Sequence, residues 1–372
     1  IAEISLIILG LLLKTLKTDR QGFYKGAVTC VCIISAVYGN FFIACGRSHS
    51  YDVKSVMIDQ LIEGSVDLEK SDNYRVDVYD SVDNTSMYLG LPGINAFHSV
   101  VPKTIFDFYD YIGIERSVGS RPDTKQAALR PLLSVKYLLN RKGGESFLDE
   151  DDEPRMTGYE YVKTSGGYYI YENNNYVPYG FSYKYYMSFD FCDSYSKSNR
   201  TQLMLKAILL DEEQIEKYGN ILTNIETLEE PPYDYETGTT LSLTDESMEY
   251  DCEQLKETAA ISFKRDNTGF SAEVRRDNDD LVFFSVPYDE GWTAYVNGEP
   301  AEIEKVNVGF MAVKVGKGTS NIRFEYRTPG LANGLIITGG ACAVLLLYML
   351  IFSVYSKRHP SDYYYPEGDM LI

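Results

Sequence analysis

Histidine is scarce in this chain, which has only His49, His98 and His359 among 372 residues. A zinc centre or a Ser-His-Asp triad needs imidazoles that the long middle of the sequence barely supplies. No HExxH, GxSxG, P-loop or CxxC pattern occurs either. Paired carboxylates stay open as a class, because the acids are too numerous for any pair to stand out. Cysteine is sparse as well. Cys30, Cys32, Cys45 and Cys342 fall in apolar runs, where a thiol serves as a small apolar filler. Only Cys192 and Cys252 lie elsewhere; a bridge between them is open, but no spacing rule asks for one. The chain is not a disulfide scaffold. Tryptophan occurs once, at Trp292.

Two stretches lack charge altogether. Residues 26–46 and 331–355 contain no Asp, Glu, Lys or Arg. At about 1.5 Å per residue the shorter reaches about 32 Å, enough to cross a hydrocarbon core of ~30 Å. Lys14, Lys17, Arg20 and Lys25 precede the first run, and Lys357, Arg358 and His359 follow the second. The positive-inside rule then puts both clusters in the cytoplasm and residues 47–330 outside. Residues 4–13 are apolar but too short to span, and basic residues follow them rather than precede them. Residues 1–13 therefore read as the end of a truncated transmembrane helix, and 14–25 as a cytoplasmic loop. The chain is expected to be the C-terminal part of a larger multi-pass membrane protein, with a cytoplasmic tail at 356–372.

Basic residues are outnumbered, and the net charge is −19. Residues 1–46 carry four basic and two acidic groups and residues 331–372 two basic and three acidic, so the stretch between them holds about −20. That balance argues against nucleic acid, whose binding rests on Lys and Arg neutralising phosphates. It also argues against broad docking on anionic surfaces without a local basic pocket. Roughly 280 residues between the spans exceed what one core usually serves, so two subdomains are expected.

Residues 47–220 read as an α+β subdomain. Residues 74–78 (YRVDV) alternate as a strand does, and 122–129 and 131–139 read as helix, turn and buried strand. The acidic run 149–153 lacks the alternation and turn glycine of a calcium loop and reads as a solvated loop. Residues 159–186 hold ten tyrosines in 28 positions. Aromatic faces stack on sugar rings, which makes a glycan-facing wall one reading. The other is that tyrosine simply favours strands and half-buried surfaces. A helix is expected over 200–218, and 221–259 reads as an acidic, irregular connection.

From 260 the chain turns to β. Short runs at 261–265, 270–275, 281–286, 293–296, 302–306, 310–315 and 321–327 are separated by turn signals. Seven short strands at this spacing predict an independent antiparallel β-sandwich over 260–328. Phe284, Val286, Phe310, Val313, Phe324 and Trp292 are expected to contribute to its core. Arg75, Arg116, Arg121 and Lys136 are cations in an acidic domain; each can hold a phosphate or pair with a neighbouring acid. With Tyr169, Tyr171 and Asn173 they are the candidate acceptor-binding residues. Tyr288, Gly291 and Trp292 form a corner motif read as structural.

The segment 286–296 (VPYDEGWTAYV) runs into Asn297-Gly298-Glu299 and then 313–326 (VKVGKGTSNIRFEY). Together with 74–76 (YRV), 133–139 (LSVKYLL), 169–173 (YIYEN) and the 178–180 turn, it resembles the YfhO family of bacterial multi-spanning membrane proteins. The resemblance covers nearly the whole chain in the same order. It implies a GT-C-type glycosyltransferase that moves a sugar from an undecaprenyl-phosphate-linked donor to a wall polymer such as lipoteichoic acid. It also implies a catalytic carboxylate in N-terminal sequence that lies outside this chain, so no catalytic residue, metal or cofactor is assigned here. The fold expected is membrane-anchored α+β, mostly β, with transmembrane helices flanking a large extracytoplasmic domain. Its partners are the bilayer, the N-terminal helices and the polymer acceptor. A non-enzymatic, membrane-tethered binding or scaffold domain is the alternative. A transporter subunit would favour ionisable residues inside the spans, and these spans have none.

Overall fold

Freed of charge, the two apolar runs become helices, Arg20–His49 and Leu331–Arg358. Both contain stretches long and apolar enough to cross a membrane, Lys25–Gly46 and Leu331–Tyr355, and neither stretch is buried inside the protein. A helix that is apolar all round and uncovered is suited to lipid rather than to water. The computed structural model describes residues 20–49, 65–228 and 243–358. The expected helix end at 1–13, most of the loop 14–25, the middle of the acidic connection and the tail beyond 358 lie outside the described residues. Residues 1–64 form one unit and 65–372 another.

The second unit mixes helices with several sheets. Arg75–Tyr79 pairs in parallel with Val135–Arg141, which continues antiparallel to Tyr168–Asn173 and then Tyr159–Ser165. Beneath the first strand, Arg130 and Asp77 form a fully buried ion pair at 2.9 Å. The rest of the guanidinium donates to the carbonyls of Pro122, Asp123 and Gln126 and to the Tyr79 hydroxyl. Such saturation is what makes a buried cation tolerable.

A single helix over 200–218 does not form. The helix Arg200–Lys206 stops where Ala207 turns extended, Ile208–Leu210 becomes a fully buried strand, and a second helix, Glu212–Tyr218, follows. The strand joins Tyr185–Ser188 in a small parallel sheet. Packing of three successive apolar side chains overrides the helical pattern. The expected irregular connection over 221–259 also needs correction, because Asp245–Glu257 is a helix. The Thr244 side chain accepts from the backbone of Ser247, Asp245 and Glu246 suit the positive end of the helix, and Met248, Cys252 and Leu255 form its buried stripe. Cys192 and Cys252 are both buried free thiols, and burial pushes both up in pKa.

All seven expected strands beyond 260 are present, joined by an eighth, Glu299–Ala301. They build two antiparallel sheets. One runs Ser262–Arg265, Gly269–Arg276, Gly318–Tyr326, Trp292–Val296, Glu299–Ala301. The other runs Glu304–Val306, Phe310–Val315, Asp280–Pro287, Phe181–Ser182. Phe270, Ala272, Val274, Ile322 and Phe324 of the first share one apolar cluster with Val282, Phe284, Met311 and Val313 of the second. The strand Asp280–Pro287 is apolar on both sides, and Leu281 and Phe283 turn the other way, into the main core with Phe108, Phe181, Phe310 and Leu209. A continuous LVFF run is the signature of a strand covered on both faces.

Strand direction gathers specific turns at one end of these sheets. The turns at 266–268, 288–291 and 307–309 share that end with the exit of the last strand, which leads through 327–330 into the helix Leu331–Arg358. Backbone bonds knit it together: Tyr326 N–H to Thr268 O, Arg327 N–H to Gly291 O, and Tyr288 N–H to Gly309 O, all 2.8–2.9 Å.

Candidate functional site

A concavity of about 560 Å³ opens at the end of the sheets from which the last strand leaves for the apolar helix. Its aromatic surface comes from Tyr179, Phe263, Phe270, Trp292 and Tyr326, and its polar rim from Arg75, Arg265 and the turn Asp266-Asn267-Thr268. Each part is held in place. Tyr179 stacks on Phe263 at 4.3 Å with the rings 12° apart. Trp292 is half-buried, 5.0 Å from Tyr326 and 5.6 Å from Phe270, and its indole N–H donates to Pro287 O at 3.2 Å. The register pairs Trp292 directly with Tyr326, so both rings lie at the same level of the sheet. Gly291 is required beside them, since a Cβ there would run into the Arg327 carbonyl and the Tyr326 ring.

The charges on the rim are compensated. Arg265 grips Asp72 with Nε and Nη2 at 3.0 and 2.9 Å. Asp266 accepts from both terminal nitrogens of Arg323 and from Thr268, and these bonds, the arginine's first, hold its carboxyl well below the ordinary range. Arg75 lies 4.9 Å over the Tyr179 ring and donates to Leu133 O and to both the hydroxyl and the carbonyl of Ser285. This surface offers aromatic faces beside fixed amide, hydroxyl and guanidinium groups, a combination suited to a polyhydroxylated ring.

Of the ten residues singled out in the sequence, Arg75 and Trp292 meet at this concavity, with Gly291 behind them. Tyr288 stands just beyond, lining a second hollow with Trp292. The other candidates are scattered. Arg121 is an exposed partner of Asp83 at 2.6 Å. Lys136 sits 3.4 Å from Glu172 and over the Tyr137 ring. Arg116 is wedged over Phe106 and Tyr109, and burial lowers its pKa. Tyr171 is buried against Phe147, and Tyr169 faces Tyr161 from the same sheet. The Asn173 amide donates to Val135 O and its side-chain oxygen accepts from the Asn175 backbone, a turn-forming role. Six of the ten tyrosines in 159–186 are buried, so most of that stretch packs the interior.

Phe263, Arg265, Asn267, Thr268 and Tyr326 were not singled out by sequence reasoning. The only local signal is the turn at 267–269, which looks like any hairpin until the topology brings it against Trp292.

A protein of mixed helices and antiparallel sheets, with two apolar helices whose long apolar stretches are not buried, matches the family described as Bacterial membrane protein YfhO over residues 2–230 and 214–338. The chain belongs to the YfhO family. It is also 24% identical over 98 residues to a protein named Uncharacterized protein YfhO from Bacillus subtilis (strain 168). That alignment covers 26% of this chain and 11% of the relative, so the similarity reaches only a small part of the longer protein. No solved structure matches the chain.

Proposed function

We propose that this chain is the acceptor-facing C-terminal part of a membrane glycosyltransferase. In this reading the two apolar helices cross the cell membrane, residues 47–330 lie outside, and the two terminal sheets form a β-sandwich. The sugar comes from an undecaprenyl-phosphate-linked donor and goes to a wall polymer such as lipoteichoic acid. The observation that carries the reading is the position of the aromatic concavity, at the sheet end leading directly into Leu331–Arg358. A sugar carried on a lipid arrives at that level.

A second reading, a membrane-tethered binding domain without transfer, is favoured by the state of the bordering acids. Asp266 and Asp72 are each held by an arginine, which suits binding better than proton transfer. The two readings separate in cells. Deleting the gene should remove a sugar from lipid-anchored or wall polymer, measured by compositional analysis, and restoring the full-length protein with Trp292→Ala should lower acceptor use on the order of tenfold, about 1.4 kcal/mol. Polymer composition unchanged by the deletion would sink the transferase reading.

A further inference from the structure

A group of large apolar side chains lies open on residues 87–118. Val100 is 85% exposed, Met87 67%, Tyr88 58% and Phe97 48%, with Val118 and Phe106 also exposed. Hydrogen bonds tie together the segments that carry Met87, Tyr88, Phe97 and Val118. The Asn84 side chain, at the start of the short helix Thr85–Tyr88, bonds both backbone groups of Phe97. Ala96–Phe97 pairs with Gly119–Ser120, and His98 N–H donates to Val118 O. Arg116 lies over Phe106. An uncovered apolar surface of this kind marks a contact with something else.

Its place in the fold indicates what that is. Phe106 sits on the helix Lys103–Tyr111, whose inner residues Phe108 and Tyr109 are buried. Phe108 packs on Phe310 at 4.6 Å, and Phe310 is the first residue of its strand, at the end of the sheets from which the chain departs for the apolar helix. The Thr104 hydroxyl donates to Tyr288 O at 2.8 Å, and Tyr288 is three residues from Gly291, whose carbonyl accepts from Arg327. Leu331 follows four residues later.

We propose that Phe97, Val100, Phe106 and Val118 form a membrane-contact surface that dips into the interfacial layer of the bilayer. The contact presses the concavity-bearing end of the sheets against the membrane and fixes its height. It depends on apolar insertion: Lys103, Arg116 and Arg121 are outnumbered by Asp83, Asp107, Asp110 and Glu115 over the same region, so general attraction to anionic lipid is not its source. The inference rests on insertion of Leu331–Arg358, and the test below separates the two.

The test uses the full chain in bilayers of phosphatidylethanolamine and phosphatidylglycerol, with an environment-sensitive fluorophore on a single introduced cysteine in a cysteine-free background. Nitroxide lipids act as quenchers. Leu345→Cys reports the apolar helix, Val100→Cys the proposed surface, and Lys317→Cys the opposite end of the sheets. Quenching at 345 by mid-chain nitroxide, at 100 by headgroup-proximal nitroxide, and none at 317 is the expected pattern. Introducing Phe106→Asp should reduce quenching at 100 severalfold while the Trp292 emission spectrum stays unchanged. Quenching at 345 without quenching at 100 overturns the inference and leaves the helix assignment intact. A blue-shifted but unquenched label at 100 also overturns it, because a protein surface would then be covering the patch. No quenching at 345 removes both.

Discussion

At the scale of single residues, the cations illustrate how context decides chemistry. Arg75, Arg121 and Lys136 look equivalent in a sequence, each a positive charge in an acidic domain. In the fold Arg75 is spent on Leu133, Ser285 and the Tyr179 ring, whereas Arg121 and Lys136 hold surface or half-exposed acids. Asp266 gives the clearest titration. Arg323 and Thr268 lower its pKa from the ordinary 3.8, so the folded state favours the carboxylate. A folded-state pKa below the unfolded one adds stability that is complete above the unfolded value and lost as pH falls through the folded value. In acid unfolding, the stability gap between wild type and Asp266→Asn should therefore be constant above about pH 5 and close progressively below about pH 4. A gap that stays constant down to pH 2 would show that the ion pair is not holding the carboxylate.

At the scale of elements, two-residue alternation marks strands with one face on the core and a continuous apolar run marks Asp280–Pro287, covered on both faces, whereas the short buried strand Ile208–Leu210 is hidden inside a helical pattern. Phe270, Ala272 and Val274 alternate with polar neighbours, and their strand forms where the period indicates. Ile208–Leu210 has no alternation because every face is covered, and a three-residue apolar run inside a helical pattern looks like helix. What restarts the helix was nonetheless written locally. Asp211 accepts from the Gln214 backbone at 2.9 Å and Gln214 returns a bond to the Asp211 backbone at 3.2 Å, a closed capping box. Asp211→Ala should cost about 0.5–2 kcal/mol in denaturant unfolding, and Asp211→Ser should recover most of it. Equal losses in the two variants would mean that the side chain matters for something other than the cap.

At the scale of the whole molecule, the terminal sheets are joined to what precedes them. Phe181–Ser182 supplies an edge strand to Asp280–Pro287, and Leu281, Phe283 and Phe310 fill the main core. Cutting at 260 would strip that strand and expose those rings. A fragment of residues 260–328 should lack a cooperative unfolding transition, whereas 65–328 should show one, followed by amide exchange and by emission of the single Trp292. Cooperative folding of the short fragment would show that the shared core is dispensable.

The sequence by itself determined the two apolar helices, the acidity of the segment between them, the strand-rich end and the family. These follow from run length, charge count and two-residue periodicity, which neighbouring residues encode without reference to distant ones. Only the tertiary structure decided that Arg75 and Trp292 border one concavity, that Tyr326 faces Trp292, and that most of the tyrosine-rich stretch is interior. Arg75 and Ser285 are 210 positions apart yet 3.0 Å from each other. Such a contact depends on which strand ends share an end of a sheet, and that is settled by the direction and pairing of whole strands.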